Sequence, residues 1–270
     1  MAYGSRNFRL AAPRVRIITR GDDLGCAHGL NRAMKVCYEK GVLKNRPVLA
    51  ASPHVEEGAR MLAGVKGLCF GLRCDLTSEW DNVRWKPAAR AVKAPSLIGR
   101  DGTLHQTNEA VWANAKADEA LIELRAQLDR ARKLGFDIRY ADLRMGAAQR
   151  VPGLAEKFGP WLRSRRIIDT REIGKGVPNM PDSWGNPARK KQGDYVEQLI
   201  TALKAAPEGE YLIVHHPGYD DAEIRNLGHA GYPGDSVAHN LNWERPGDTD
   251  PRMVRFVKEG GAQPIRYDET

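Results

Sequence analysis

A parallel α/β fold, its sheet open or closed into a barrel, follows from three features of this sequence. Apolar runs of strand length recur, among them RVRIITR, CFGL and YLIV. Segments with helical periodicity lie between them, and the strongest, ADEALIELRAQLDRARKLG, puts Leu121, Leu124, Leu128, Ala131 and Leu134 on one face. Polar residues collect where strands end, as at Asp22 and Asp23. Strands separated throughout by helices pair in parallel, because a parallel connection must cross over the sheet. With 270 residues, 41% of them hydrophobic, and no linker or internal repeat, a single domain over 1–270 is expected.

The elements follow in order. Arg14–Arg20 reads as the first strand and runs straight into Gly21, Asp22 and Asp23. Asn31–Lys40 reads as a helix stopped at Gly41, a residue suited to a C-cap. Pro47–Ala51 is a second strand, Val55–Ala63 a second helix and Cys69–Leu76 a third strand. An irregular section from Ser78 to about Asn114 carries Trp80, Trp85 and Trp112, a length expected where a loop covers a site. After the long helix ending at Gly135 come a fourth strand at Asp137–Arg144, a helix near Gly153–Arg163 and a strand at Arg166–Thr170. A Pro/Gly/Asn-rich stretch at 174–187 precedes a helix at Asp194–Ala205, the strand YLIVHH and a final helix–strand pair.

Composition excludes several classes. No run approaches the roughly 20 apolar residues of a bilayer span, and MAYGSRNFRLAAPRVRII lacks the apolar core of a secretory signal. A soluble, cytoplasmic protein with no membrane partner is expected. The formal charge of +8 invites a nucleic-acid reading, but the basic residues are scattered or in brief groups such as RSRR and RKK, with no recognition motif among them. The expected partner is instead an oligosaccharide, with self-association left open. Cys26, Cys37, Cys69 and Cys74 form no CxxC pair, which points to buried free thiols.

Three strand ends carry candidate chemistry: Asp22 with Asp23, Asp142, and His215 with His216 in YLIVHHPGY. In a parallel β/α architecture such ends lie on one side and converge. A lone Asp after a strand is most often a turn or cap residue. Two in succession repel unless something positive compensates. His216 before Pro217-Gly218 suits a ligand or a general acid, and a buried packing histidine is the competing reading for either member of the pair. His28, His54, His105, His229 and His239 show neither HxxxH nor HExxH spacing and give no metal-ligand constellation.

RGDDLG, Leu30-Asn31, Gly41-Val42, GLRCDLTSEW, the PSL…DGT run at 95–103, ELRAQL, ADLRMG and HHPGY together resemble the YdjC/ChbG family of carbohydrate deacetylases, from about Ile17 to Tyr219. The resemblance implies a distorted TIM-like β/α barrel and removal of an acetyl group from an amino sugar by a metal-activated water. It also implies a divalent metal held by one aspartate of the DD pair and two histidines, an acidic base, and an assisting acid at the HPG histidine. Here this chain departs. The family pattern resembles GLHxxLTSEW and HxDSHMG, and both metal-binding histidine positions are arginine, Arg73 and Arg144. Arginine has no lone pair to give and stays charged.

Two guanidiniums could replace the metal electrostatically, a close pair being worth about 4 kcal/mol of Coulomb energy at an effective dielectric near 20, before desolvation. The expected site therefore has no metal and no cofactor. Asp22, Asp23, Asp142 and His216 are its catalytic candidates. Arg73, Arg144, Glu79, Trp80, Trp85 and His215 are its substrate-binding candidates, the arginines gripping an anionic group if the sugar carries one. Trp112 and Trp184 also suit sugar stacking or core cover. A carbohydrate-active hydrolase acting by Asp/His acid–base chemistry, with glycosidic cleavage favoured, is the expected function. A metal-dependent deacetylase with unusual ligands and a sugar-binding pseudoenzyme are the alternatives.

Overall fold

The computed structural model describes residues 14–180 and 192–270. Trp184 and the RKK run lie outside them. One sheet contains β1 (Val15–Gly21), β2 (Asn45–Val48), β3 (Cys69–Cys74), β4 (Ile138–Leu143), β5 (Ile168–Asp169), β6 (Lys175–Gly176), β7 (Gly209–His215) and β8 (Gln263–Ile265). Its order is β5-β4-β3-β2-β1-β7-β6, and its ladders are parallel. Among the described residues no ladder joins β5 to β6, so the sheet makes a distorted, incompletely closed TIM-like barrel. β8 pairs with the first half of β1, whereas β2 meets β1 at Arg20–Asn45. Asn45 closes the resulting fork: its Nδ2 donates to the carbonyls of Thr19 (3.0 Å) and Ile265 (2.9 Å), and its Oδ1 accepts from the Tyr267 amide (2.9 Å).

The surrounding helices are α1 (His28–Glu39), α2 (Val55–Leu62), α3 (Asn108–Asn114), α4 (Ala117–Lys133), α5 (Ala155–Ser164), α6 (Tyr195–Ala205), α7 (Ala222–Arg225), α8 (Gly234–Glu244), α9 (Pro246–Thr249) and α10 (Pro251–Lys258). The periodic face of α4 packs on the sheet, with Leu124 and Leu128 buried beside Phe70 and Leu72. A second core sets Ile17, Tyr211 and Ile213 against Leu199 of α6 and Met253 of α10. A third fills the lower barrel with Ile18, Cys69, Tyr140, Ile265 and Tyr267. Gly71 is required there, since a Cβ would lie 2.2 Å from the Tyr140 ring. All four cysteines are free and buried.

Three expectations change. Helix α1 starts at His28 instead of Asn31, because its first amides find a distant cap: Glu223 accepts from the amides of His28 and Gly29, each at 2.8 Å. Gly41 does not end α1 as a left-handed cap; it is needed because a Cβ there would lie 2.2 Å from the Asp248 carbonyl oxygen. The section at 78–114 also ends in a helix, α3, whose N-cap Thr107 accepts from the Ala110 amide. Glu79 and Trp80, at its start, line the pocket described below, and the far wall comes instead from residues 227–241.

Candidate functional site

The period of two along a strand builds the site. Ile18, Cys69 and Tyr140 fill the barrel interior, and two or four residues further on Arg20 and Asp22, Arg73, and Asp142 and Arg144 line a cavity above them. Val214 and His216 do the same on β7. Arg73 and Asp142 are cross-strand partners. The cavity measures about 410 Å³, within the usual size range of small-molecule sites.

Its floor is a network of three arginines and at least four carboxylates. Arg20 clamps Asp22 through Nε (2.7 Å) and Nη2 (3.0 Å) and donates from Nη1 to Asp142 (2.7 Å). Arg73 pairs with Asp22 at 2.7 Å, donates from Nε to Asp23 Oδ1 at 3.2 Å, and bonds Asp142. Arg144 bonds the same Asp23 Oδ1 through Nη1 and donates from Nη2 to Glu79 Oε1 at 2.6 Å, with Asp75 Oδ1 3.7 Å from its Nε. Most of these guanidinium donors go to protein carboxylates, while Arg144 Nε is buried and has no hydrogen-bond partner among the described residues. Glu79 Oε2 is buried and has no hydrogen-bond partner among the described residues. His216 Nε2 lies 3.7 Å from Asp22 and its Nδ1 3.5 Å from Glu244.

The carboxyl groups are pushed in different directions. Burial opposes ionisation of Asp23, but the Arg144 and Arg73 guanidiniums outweigh it and hold its pKa down at about 2. Asp142 is also lowered: burial opposes, and Arg73 and Arg20 prevail. Burial wins at Glu79 and raises it, with Arg144 offsetting only part of the effect. Asp75 beneath is raised for the same reason. Two non-glycine residues lining the pocket have a left-handed backbone, Asp23 (φ 70°) in the turn after β1 and Met145 (φ 50°) after β4.

Trp80 lines the cavity together with His229, stacked at 5.9 Å, and Tyr232, at 6.3 Å. Leu227, Val237 and Leu241 complete this wall. Two residues expected at the ligand lie behind it. His215 faces the opposite side of β7 from His216, where its Nδ1 meets Asp248 (3.0 Å) and its Nε2 the Tyr195 hydroxyl (2.7 Å). Trp85 is buried under Arg144 and donates from Nε1 to Asp75 (2.9 Å). Trp112 donates to the Ala147 carbonyl (2.9 Å), away from the cavity lining. Sequence reasoning missed Arg20, Glu244, His229 and Tyr232. The alternation Ile18-Arg20-Asp22 could have disclosed the first; the others depend on where α7 and α8 fold.

The metal implied by the resemblance does not fit these residues. Of its three ligand positions only Asp23 keeps a donor, and both other positions place a guanidinium on that carboxylate. Neither arginine offers a lone pair and both would repel a divalent ion.

Comparison with known proteins adds the following. A family model described as YdjC-like protein matches residues 16–259. A carbohydrate deacetylase of Thermoanaerobacter pseudethanolicus is 24% identical over 93% of this chain and 97% of its own length. One from Thermus thermophilus is 29% identical over 78% of this chain and 80% of its own. A structure from Enterococcus faecalis, named for cellobiose-phosphate cleavage, superposes with TM-score 0.71 at 17% identity, covering 94% of this chain and 98% of that one. This likeness is one of fold.

Proposed function

The chain belongs to the YdjC-like protein family, and on that premise we propose that its pocket is the active site of a carbohydrate-active hydrolase working without the metal. The observation that carries this reading is the Asp23–Arg144–Glu79 bridge. One arginine joins two carboxyl groups whose pKa values are displaced oppositely, Asp23 down to about 2 and Glu79 upward. Pairs driven apart in this way divide the acid and the anionic roles between them.

In this reading Glu79 donates its proton to the leaving oxygen of a glycosidic bond. Asp23, ionised, faces the positive charge that develops at the anomeric carbon. Water completes the reaction, its hydroxyl going to that carbon and its proton restoring Glu79. His216, between Asp22 and Glu244, is a second proton carrier. Trp80 and Tyr232 supply the apolar faces on which sugar rings stack. Asp22 and Asp142, with their oxygens taken by arginine, hold the array in place.

A deacetylase is the second reading, favoured by the names of the relatives. Purified protein in chelator, incubated with mixed oligosaccharides and followed by mass, separates them. Shortened chains that persist with chelator and vanish in Glu79→Gln and Asp23→Asn support the glycosidase. Loss of acetate, abolished by chelator, would replace it with the deacetylase. Binding without turnover would make the protein a sugar-binding pseudoenzyme.

A further inference from the structure

We infer that His28, His54 and Glu223 form a divalent-cation site of the zinc class, outside the pocket and behind the loop that carries Asp22 and Asp23. Sequence spacing kept these residues apart; the fold brings together the start of α1, the residue before α2 and the first turn of α7. One potential donor atom from each lies within 4.8 Å of the others. The imidazoles of His28 and His54 have centroids 3.9 Å apart. Glu57 Oε2 stands 2.9 Å from Nδ1 of His28, the carboxylate partner that ligating histidines customarily carry.

Two imidazoles and a carboxylate suit zinc and its borderline neighbours. Calcium and magnesium take all-oxygen sets. Donors about 2.0–2.2 Å from an ion must sit roughly 3.4 Å from one another, so the three draw in by about 1 Å. The side chain of His28 is 50% exposed and has room to do so. Electrostatics permit the ion. The N-termini of α1 and α2 each oppose it with about half a unit of positive charge, and Glu57 and Glu223 bring two full negative charges, leaving the balance negative before the ion arrives.

The site reaches the pocket from both sides. The His54 amide donates to the Gly25 carbonyl at 2.9 Å, and Asn31 accepts from the Gly25 amide at 2.8 Å while donating to the His54 carbonyl at 3.0 Å. Glu223 begins the segment that continues to the pocket residues Leu227 and His229. An ion at this point ties the loop bearing Asp23 to the wall facing it and acts as a structural staple.

The test is a zinc titration of chelator-stripped, desalted protein by calorimetry, with melting followed in parallel. A single ion per chain should bind, and Tm should rise by roughly 5 to 10 °C at zinc about 100-fold above its dissociation constant. His54→Ala and Glu223→Gln should each weaken binding at least tenfold. Because Glu223 also caps α1, His28→Ala serves as the variant whose zinc-free Tm stays near that of the parent while its zinc response disappears. Cobalt in place of zinc should give the visible absorption of a low-coordinate nitrogen and oxygen site. Absence of any Tm response in the parent protein overturns the inference. So does unchanged binding in the His28→Ala/His54→Ala double variant, or binding that is lost in Asp23→Asn and kept in that double variant.

Discussion

The dipeptide His215-His216 serves two buried polar clusters on opposite faces of β7, and they differ in their access to a cavity. On the outer face His215 has a partner at each ring nitrogen, Asp248 and the Tyr195 hydroxyl, and no access to the cavity. Burial opposes its protonation, yet Asp248 prevails and raises its pKa. On the inner face His216 borders a cavity with Asp22, Glu244 and the arginine–carboxylate floor. Each cluster leaves one buried carboxylate oxygen without a hydrogen-bond partner among the described residues, Asp248 Oδ1 outside and Glu79 Oε2 inside, but only the inner one borders a cavity, where a displaced carboxyl can move a proton.

The largest effect expected from this contrast is at Arg144. Replacing it with Ala strands Asp23, Glu79 and Asp75 together in a buried site, and such breakage costs about 3–5 kcal/mol, or roughly 10 °C in Tm. Chemical denaturation of the variant showing an unchanged midpoint would mean that the floor does not hold the inner cluster together.

The next comparison sets Glu79→Gln against Asp248→Asn. Glu79→Gln should lower turnover by about 10² to 10⁴ while leaving Tm equal or higher. Asp248→Asn should lower stability by about 1–3 kcal/mol and leave turnover within a few-fold, since it removes a partner behind the strand. Reversal of the two phenotypes, read by kinetics and melting side by side, would move the chemistry to the outer face.

The smallest and sharpest effect is in the pH dependence of stability, because the two bridge carboxyls have opposite signs. Asp23, about 2 in the folded protein against about 3.9 unfolded, contributes stability that is present above 3.9 and lost as pH falls toward 2. Glu79 is raised, so the folded state holds its proton more tightly. Its contribution is fully present below about 4.3 and declines as pH rises through the folded pKa. Urea midpoints across this range should show wild type losing ground to Glu79→Gln as pH rises and to Asp23→Asn as pH falls. His215 adds a loss above about 6.5, since its folded pKa is also raised, and His215→Gln should abolish that slope.

The sequence by itself determined the alternation of strands and helices, the parallel sheet and the convergence of Asp22, Asp23, Asp142 and His216, because hydrophobic period and strand-end placement are local properties. The motif set identified the family and located the two arginines in place of histidine. The period of two even contained the answer for His215, since adjacent residues on a strand cannot both face inward. Tertiary structure alone decided the rest. Arg20 looked like one more scattered base until β1 placed it between Asp22 and Asp142. The helix α1 begins three residues early because its cap, Glu223, comes from far along the chain. The wall of His229 and Tyr232 depends on the short helices α7 and α8, whose weak periodicity gives no local signal. Charge pairing, distant caps and cavity walls are contacts between residues remote in sequence, and only the closed fold brings those partners within reach.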